Sequence, residues 1–105
     1  MTKSVLILGR SEAVVEAARA GLQIPGLQII GGTGIEAVRS AFAQTKIDHV
    51  IMGAGLDLDT RLEIIREIFK SSESTTVHMK DTASGPQGFL PFIQSVLEGL
   101  AGWEP

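Results

Sequence analysis

At 105 residues the chain can close one hydrophobic core and has little room for a second, so a single α/β domain over residues 1–105 is expected. Hydrophobic residues at 44% and charged residues at 20% exclude disordered and low-complexity classes, and a net charge of -3 argues against nucleic acid or an anionic membrane as partner. Cysteine is absent, which removes thiolate nucleophiles, disulfides, iron–sulfur clusters and cysteine-based zinc sites.

No apolar run approaches the roughly 20 residues of a membrane span. Met1-Thr2-Lys3-Ser4 leads into an apolar stretch without a signal-peptide pattern, so the expected location is the cytoplasm. The stretch from Ser4 to Leu8 is continuously apolar and closes at Gly9, the mark of a strand buried on both faces. From Ser11 the period changes. Ser11 is placed to cap a helix whose Ala13, Val14, Ala17, Ala18 and Leu22 recur at helical spacing, with Glu12, Glu16, Arg19 and Gln23 elsewhere. Gly21, Pro25 and Gly26 stop it.

Leu27 to Ile30 is the next expected strand, ended by Gly31-Gly32-Thr33-Gly34. A helix from Ile35 carries Ile35, Val38, Ala41 and Phe42 on one face. Residues 47–52 form the third strand, which runs into Gly53-Ala54-Gly55. Thr60-Arg61-Leu62-Glu63 fits a capping box, and Leu62, Ile65, Ile68 and Phe69 make the expected buried stripe of the third helix, with Arg61, Glu63, Arg66, Glu67 and Lys70 solvated. Thr75 to Met79 has the β-branched content of an edge strand. The last helix, Phe89 to Leu100, holds Pro91 in its first turn and is weakened by Gly99 and Gly102.

Four strand–helix units imply a three-layer, doubly wound sheet of four parallel strands. The expected order is 2-1-3-4, with helices one and four on one face and helices two and three on the other. Ligands of such sheets sit outside the carboxyl ends of the strands where the order reverses, here between Gly9 and Gly53. The loops on that edge supply Gly9, Arg10, Ser11, Gly32, Thr33, Gly53, Gly55 and Lys80, a set able to receive a phosphate or carboxylate at a helix N-terminus. Glycines that merely let the chain turn are the competing explanation. The pattern G-x-G-x-x-G is missing after the first strand, and Gly32-Thr33-Gly34 is followed by Ala37 in the third place, so no cofactor is expected. Asp57 and Asp59 suit helix capping better than catalysis. His49 and His78 read as half-buried strand residues without a second ligand at metal spacing, and Met52, Met79, Phe89, Phe92 and Trp103 as packing residues.

Gly26-Leu27-Gln28-Ile29-Ile30-Gly31, Asp48-His49-Val50-Ile51-Met52-Gly53-Ala54-Gly55-Leu56 and Leu62-Glu63-Ile64-Ile65-Arg66-Glu67-Ile68 resemble the middle of a response-regulator receiver domain, a flavodoxin-like fold within the broader Rossmann-like class. Met79-Lys80-Asp81-Thr82-Ala83-Ser84 and the helix after it resemble that family's last strand, lysine loop and final helix. The resemblance implies a degenerate receiver. Gly53 stands at the place of the phosphoacceptor aspartate, Gly9-Arg10 stand where acidic residues would hold magnesium, and only Lys80 matches a functional residue. The chain is also shorter by about one strand–helix unit, missing between Ser74 and Val77.

Two functions follow as expectations. The first is a non-catalytic receiver-like signalling module without aspartyl-phosphate chemistry, docking on a copy of itself or another signalling protein through a helical face such as helix four with Phe89 and Phe92. The second is a domain binding a nucleotide or other phosphate-bearing ligand over Arg10, Ser11, Gly32 and Lys80. No set of residues meets the requirements of a reaction class, and the chain is not expected to be an enzyme.

Overall fold

A computed structural model describes residues 3–22, 24–85 and 87–103, residues 101–103 through their backbone. The expectations for Gln23 and for the Trp103 side chain lie outside the described residues. The elements are β1 (Lys3–Leu8), α1 (Glu12–Gly21), β2 (Leu27–Gly32), α2 (Ile35–Gln44), β3 (His49–Met52), α3 (Leu58–Ser71), β4 (Thr76–Met79) and α4 (Phe89–Trp103). The strands form one parallel sheet ordered β2-β1-β3-β4.

The two central strands explain this architecture. Val5, Leu6, Ile7 and Leu8 of β1 and Val50, Ile51 and Met52 of β3 are all 0% exposed, so both faces of the sheet must be covered. Val5, Ile7 and Ile51 pack with Ala18 and Leu22 on the α1 side and with Phe89, Ile93 and Leu97 of α4. On the opposite face Leu6, Leu8, Val50 and Met52 pack with Val38 and Ala41 of α2 and with Ile64 and Ile68 of α3. The doubly wound order and the pairing of helices on the two faces match the sequence expectation. Among the described residues no helix is long and apolar enough to cross a membrane.

Several local readings are corrected. In α1 the sheet-facing residues are Val15 and Ala18, joined by Leu22 at the C-cap, while Ala13 and Ala17 are exposed. Alanine loses little on either face of a helix, so it marks a stripe poorly. Asp57 caps α3, its Oδ1 accepting from the Thr60 N–H at 2.8 Å, three residues before the expected Thr60 cap. The buried face of the helix is Arg61, Ile64 and Ile68, turned by about one residue from the expected stripe and sharing only Ile68 with it, and Leu62 is 46% and Phe69 56% exposed. The β3 ladder begins at His49 instead of residue 47, although Ile47 remains 1% exposed. At the far end α4 continues past Leu100 through Gly102.

β2 runs through Gly31 and Gly32 instead of ending before them. Neither residue has a left-handed backbone, so turning is not their role. A Cβ on Gly31 would overlap Val15 Cγ1 of α1, and one on Gly32 would overlap Ala37 Cβ of α2. The pair lets helices on opposite faces approach the same strand end. Gly31→Ala and Gly32→Ala should each cost about 1–3 kcal/mol by overpacking. Gly99→Ala, in α4 with nothing within 4 Å of the added methyl, should instead stabilise by about 0.5–1 kcal/mol. Urea unfolding measures all three, and equal effects would refute the packing explanation.

Candidate functional site at the carboxyl edge of the sheet

The reversal of strand order lies between Gly9 and Gly53, where a ligand would need open space and unspent hydrogen-bond donors. Both donors are used by the sheet. The Gly9 N–H donates to the Gly32 carbonyl at 3.2 Å, and the Gly53 N–H donates to the Leu8 carbonyl at 2.9 Å. Phe89, 5% exposed and in the first turn of α4, lays its ring against both glycines from the α1 and α4 face of the sheet. A Cβ on Gly53 would stand 3.3 Å from its ring, and one on Gly9 would stand 3.8 Å from it. A side chain at position 53 would therefore press on this ring.

The expected site residues do not form one group. Gly9, Arg10, Gly53 and Gly55 come together: a Cβ on Gly55 would be 2.7 Å from Arg10 Cβ, so the absent side chain lets the β1–α1 and β3–α3 loops touch. Ser11 is engaged as the α1 cap, its Oγ accepting from the Val14 N–H at 3.3 Å. Gly32 and Thr33 border a separate cleft of about 360 Å³ whose other walls include Glu12 and Glu16. Those two carboxylates disfavour an anionic ligand.

Lys80 turns into its own loop. It is 6% exposed, and its Nζ donates to Ser84 Oγ and, at 2.9 Å, to the Gly85 carbonyl. Ser84 in turn donates from its Oγ to Asp81 Oδ1 at 2.7 Å and from its N–H to Asp81 Oδ2 at 3.0 Å. The Ser84 side-chain bond, followed by its backbone bond, holds the Asp81 carboxyl below its ordinary pKa. Lys80, Ser84 and Asp81 thus brace the loop between β4 and α4 in place of reaching Arg10.

The sequence reading missed Arg61. Its side chain is buried beneath the β3–α3 loop, with Nε donating to the Leu56 carbonyl at 2.9 Å and an η nitrogen donating to the Gly53 carbonyl at 3.0 Å. The guanidinium fork suits this task because two donors in one plane meet two carbonyls at once. The signal available in the chain was the spacing 61-64-68 together with Asp57 as cap, which places Arg61 on the inward face. Phe89 was read both as packing and, with Phe92, as a docking face of helix four; at 5% exposure it is a core residue that no partner can reach, and its position against Gly9 and Gly53 depends on where α4 docks.

A second polar group lies on the β3–β4 side of the sheet. His49 Nδ1 and Thr76 Oγ1 share a hydrogen bond at 2.6 Å, and Thr76 Oγ1 and His78 Nε2 share one at 2.9 Å. His49 is more buried than expected, at 9% exposure, because β3 is central. Burial holds the half-buried His78 below the ordinary imidazole pKa. Among the described residues no three His, Cys, Asp or Glu side chains could hold a metal ion together.

Arg61→Met should lower stability by about 1–3 kcal/mol, because the two carbonyls lose their buried donor. Arg61→Lys should recover only part of that loss in chemical denaturation, since one ammonium does not reproduce the planar fork. Asp57 gives a pH prediction. Hydrogen bonds from Thr60 hold its carboxyl below its ordinary value, so its stabilising effect is present above the unfolded pKa of about 4 and is lost as pH falls through the lower folded value. Asp57→Asn keeps a capping oxygen and should show a shallower loss of melting temperature over that acid range.

Compared with protein families, with curated proteins and with solved structures, the chain matches none closely enough to establish a relationship.

Proposed function

We propose that this chain is a non-catalytic, receiver-like interaction module, located in the cytoplasm and acting by binding protein without aspartyl-phosphate chemistry. The observation that carries this reading is the Phe89 ring seated against Gly9 and Gly53. An aromatic plug at the switch point stabilises the fold, as burial of a Phe side chain contributes about 1.5–3 kcal/mol, and it takes the volume a small ligand would fill.

The alternative, a phosphate-bearing ligand, needs Arg10, Ser11, Gly32 and Lys80 to converge. Their placement favours it less: Ser11 caps α1, Lys80 is bonded within its loop, and Gly32 opens onto a cleft shared with Glu12 and Glu16. A domain of this kind retains its sheet edges and helix flanks as surfaces for other chains.

A thermal-shift screen distinguishes the two. The melting temperature should stay constant with nucleotides, NAD(P), sugar phosphates, inorganic phosphate, and magnesium with acetyl phosphate. A native-state binder at 100-fold excess over its Kd would add about 2.7 kcal/mol and could not be missed. A rise with one of these that disappears in Arg10→Ala would overturn the proposal in favour of the ligand-binding reading.

A further inference from the structure

The exposed apolar residues of α3 are not scattered. Leu58 is 67%, Leu62 46% and Phe69 56% exposed, and with half-buried Ile65 they recur at spacings of four, three and four along one line of the helix. α3 faces the core through Ile64 and Ile68 and faces α2 through Glu67, whose Oε1 lies 3.2 Å from Arg39 Nε. The apolar line is on the flank turned away from α2, over the outer edge of the sheet. There β4 is the edge strand, and Val77 and the 44% exposed Met79 project on the α3 side of it.

The backbone of β4 points the same way. Thr76 and Lys80 donate their N–H groups to the carbonyls of Asp48, just before β3, and of Met52 at its end, at 3.1 and 2.9 Å. By the alternation of a strand, Val77 and Met79 direct theirs away from β3. The exposed charges of α3 are divided along its length as well. With Arg61 buried and Glu67 paired to Arg39, the exposed ones are Asp59 and Glu63 in the first half, after the Asp57 cap, and Arg66 and Lys70 in the second.

From this surface we infer that the partner is a second copy of the chain, joined about a two-fold axis by antiparallel β4–β4 pairing with the two α3 helices packed across the seam. The inference deepens the interaction-module reading by naming its partner. The antiparallel arrangement sets Leu58 of one copy against Phe69 of the other and Leu62 against Ile65. It also brings the acidic half of each α3 opposite the basic half of its mate, which makes the surface complementary to itself. Val77 of each copy exchanges hydrogen bonds with Met79 of the other. At side-chain areas near 200 Å² the four exposed residues leave roughly 400 Å² of apolar surface, about half of the ~800 Å² per partner in a standard interface. The β4 backbone and the stems of Arg66 and Lys70 make up the difference.

Sedimentation equilibrium of the full chain tests this. The native protein should be a dimer, and Leu62→Glu and Phe69→Glu should each be monomers with an unchanged far-UV circular dichroism spectrum. Met79→Pro, which removes one outward N–H and leaves those bonded to β3, should raise the dimer Kd at least about tenfold. Two charge variants test the register: Arg66→Glu with Lys70→Glu, and Asp59→Lys with Glu63→Lys. Each alone should be monomeric, and an equal mixture should form a heterodimer. A native monomer, a dimer indifferent to the α3 substitutions, or a mixture that fails to associate would overturn the inference. None of those results would alter the thermal-shift outcome that decides between protein binding and small-ligand binding.

Discussion

Complete burial of Val5–Leu8 in β1 and Val50–Met52 in β3 is the constraint from which the rest of the molecule follows. Seven residues of these strands have no exposed surface, and a parallel sheet so apolar must carry helices on both faces. Covering two faces with helices only 10 to 15 residues long demands close approach at the strand ends. Gly31 and Gly32 meet that demand at β2, where Val15 and Ala37 press in from opposite sides. Gly53 meets it at β3, against Phe89. The glycines that give the carboxyl edge the look of a ligand cradle are in large part the consequence of packing.

The same constraint organises the polar groups at that edge. A buried carbonyl without a partner costs more than a hydrogen bond returns, so the loop after β3 requires a donor from within the fold. Arg61 provides it, reaching the Gly53 and Leu56 carbonyls from beneath. On the neighbouring loop Lys80, Ser84 and Asp81 satisfy one another and the Gly85 carbonyl. Two cations that could have met an anionic ligand are thereby committed to holding backbone in place. Such commitments make an edge rigid and leave little polar capacity for binding there.

α3 shows how one change in helix phase redistributes function over a surface. With Asp57 as its cap, the helix points a guanidinium inward and two leucines and a phenylalanine outward. Burying Arg61 is stabilising only because its donors are matched; exposing Leu58, Leu62 and Phe69 is not stabilising in an isolated chain. Beside them β4 ends the sheet without a covering strand. A continuous apolar flank next to an unpaired strand is the arrangement that association of chains would relieve.

By itself the sequence determined the class and topology of the fold. Continuous apolar runs at 4–8 and 47–52, alternating with helical spacing, admit few arrangements other than a doubly wound parallel sheet ordered 2-1-3-4, because crossovers are right-handed and both faces must be covered. It also marked Ser11 as a cap and Val38 and Ala41 as core, since those signals are local. What only the tertiary structure decided is which members of an ambiguous stripe face inward and what the edge glycines are for. Ala13, Val15, Arg61 and Leu62 are placed by the docking of whole helices, which sets the rotation of each about its own axis, and at 3.6 residues per turn a rotation of about 100° exchanges neighbours such as Arg61 and Leu62. The roles of Gly31, Gly32 and Gly53 depend on side chains distant in the chain, Val15, Ala37 and Phe89, which no periodicity brings together. Local chemistry wrote the elements; the volume between them assigned the residues at their ends.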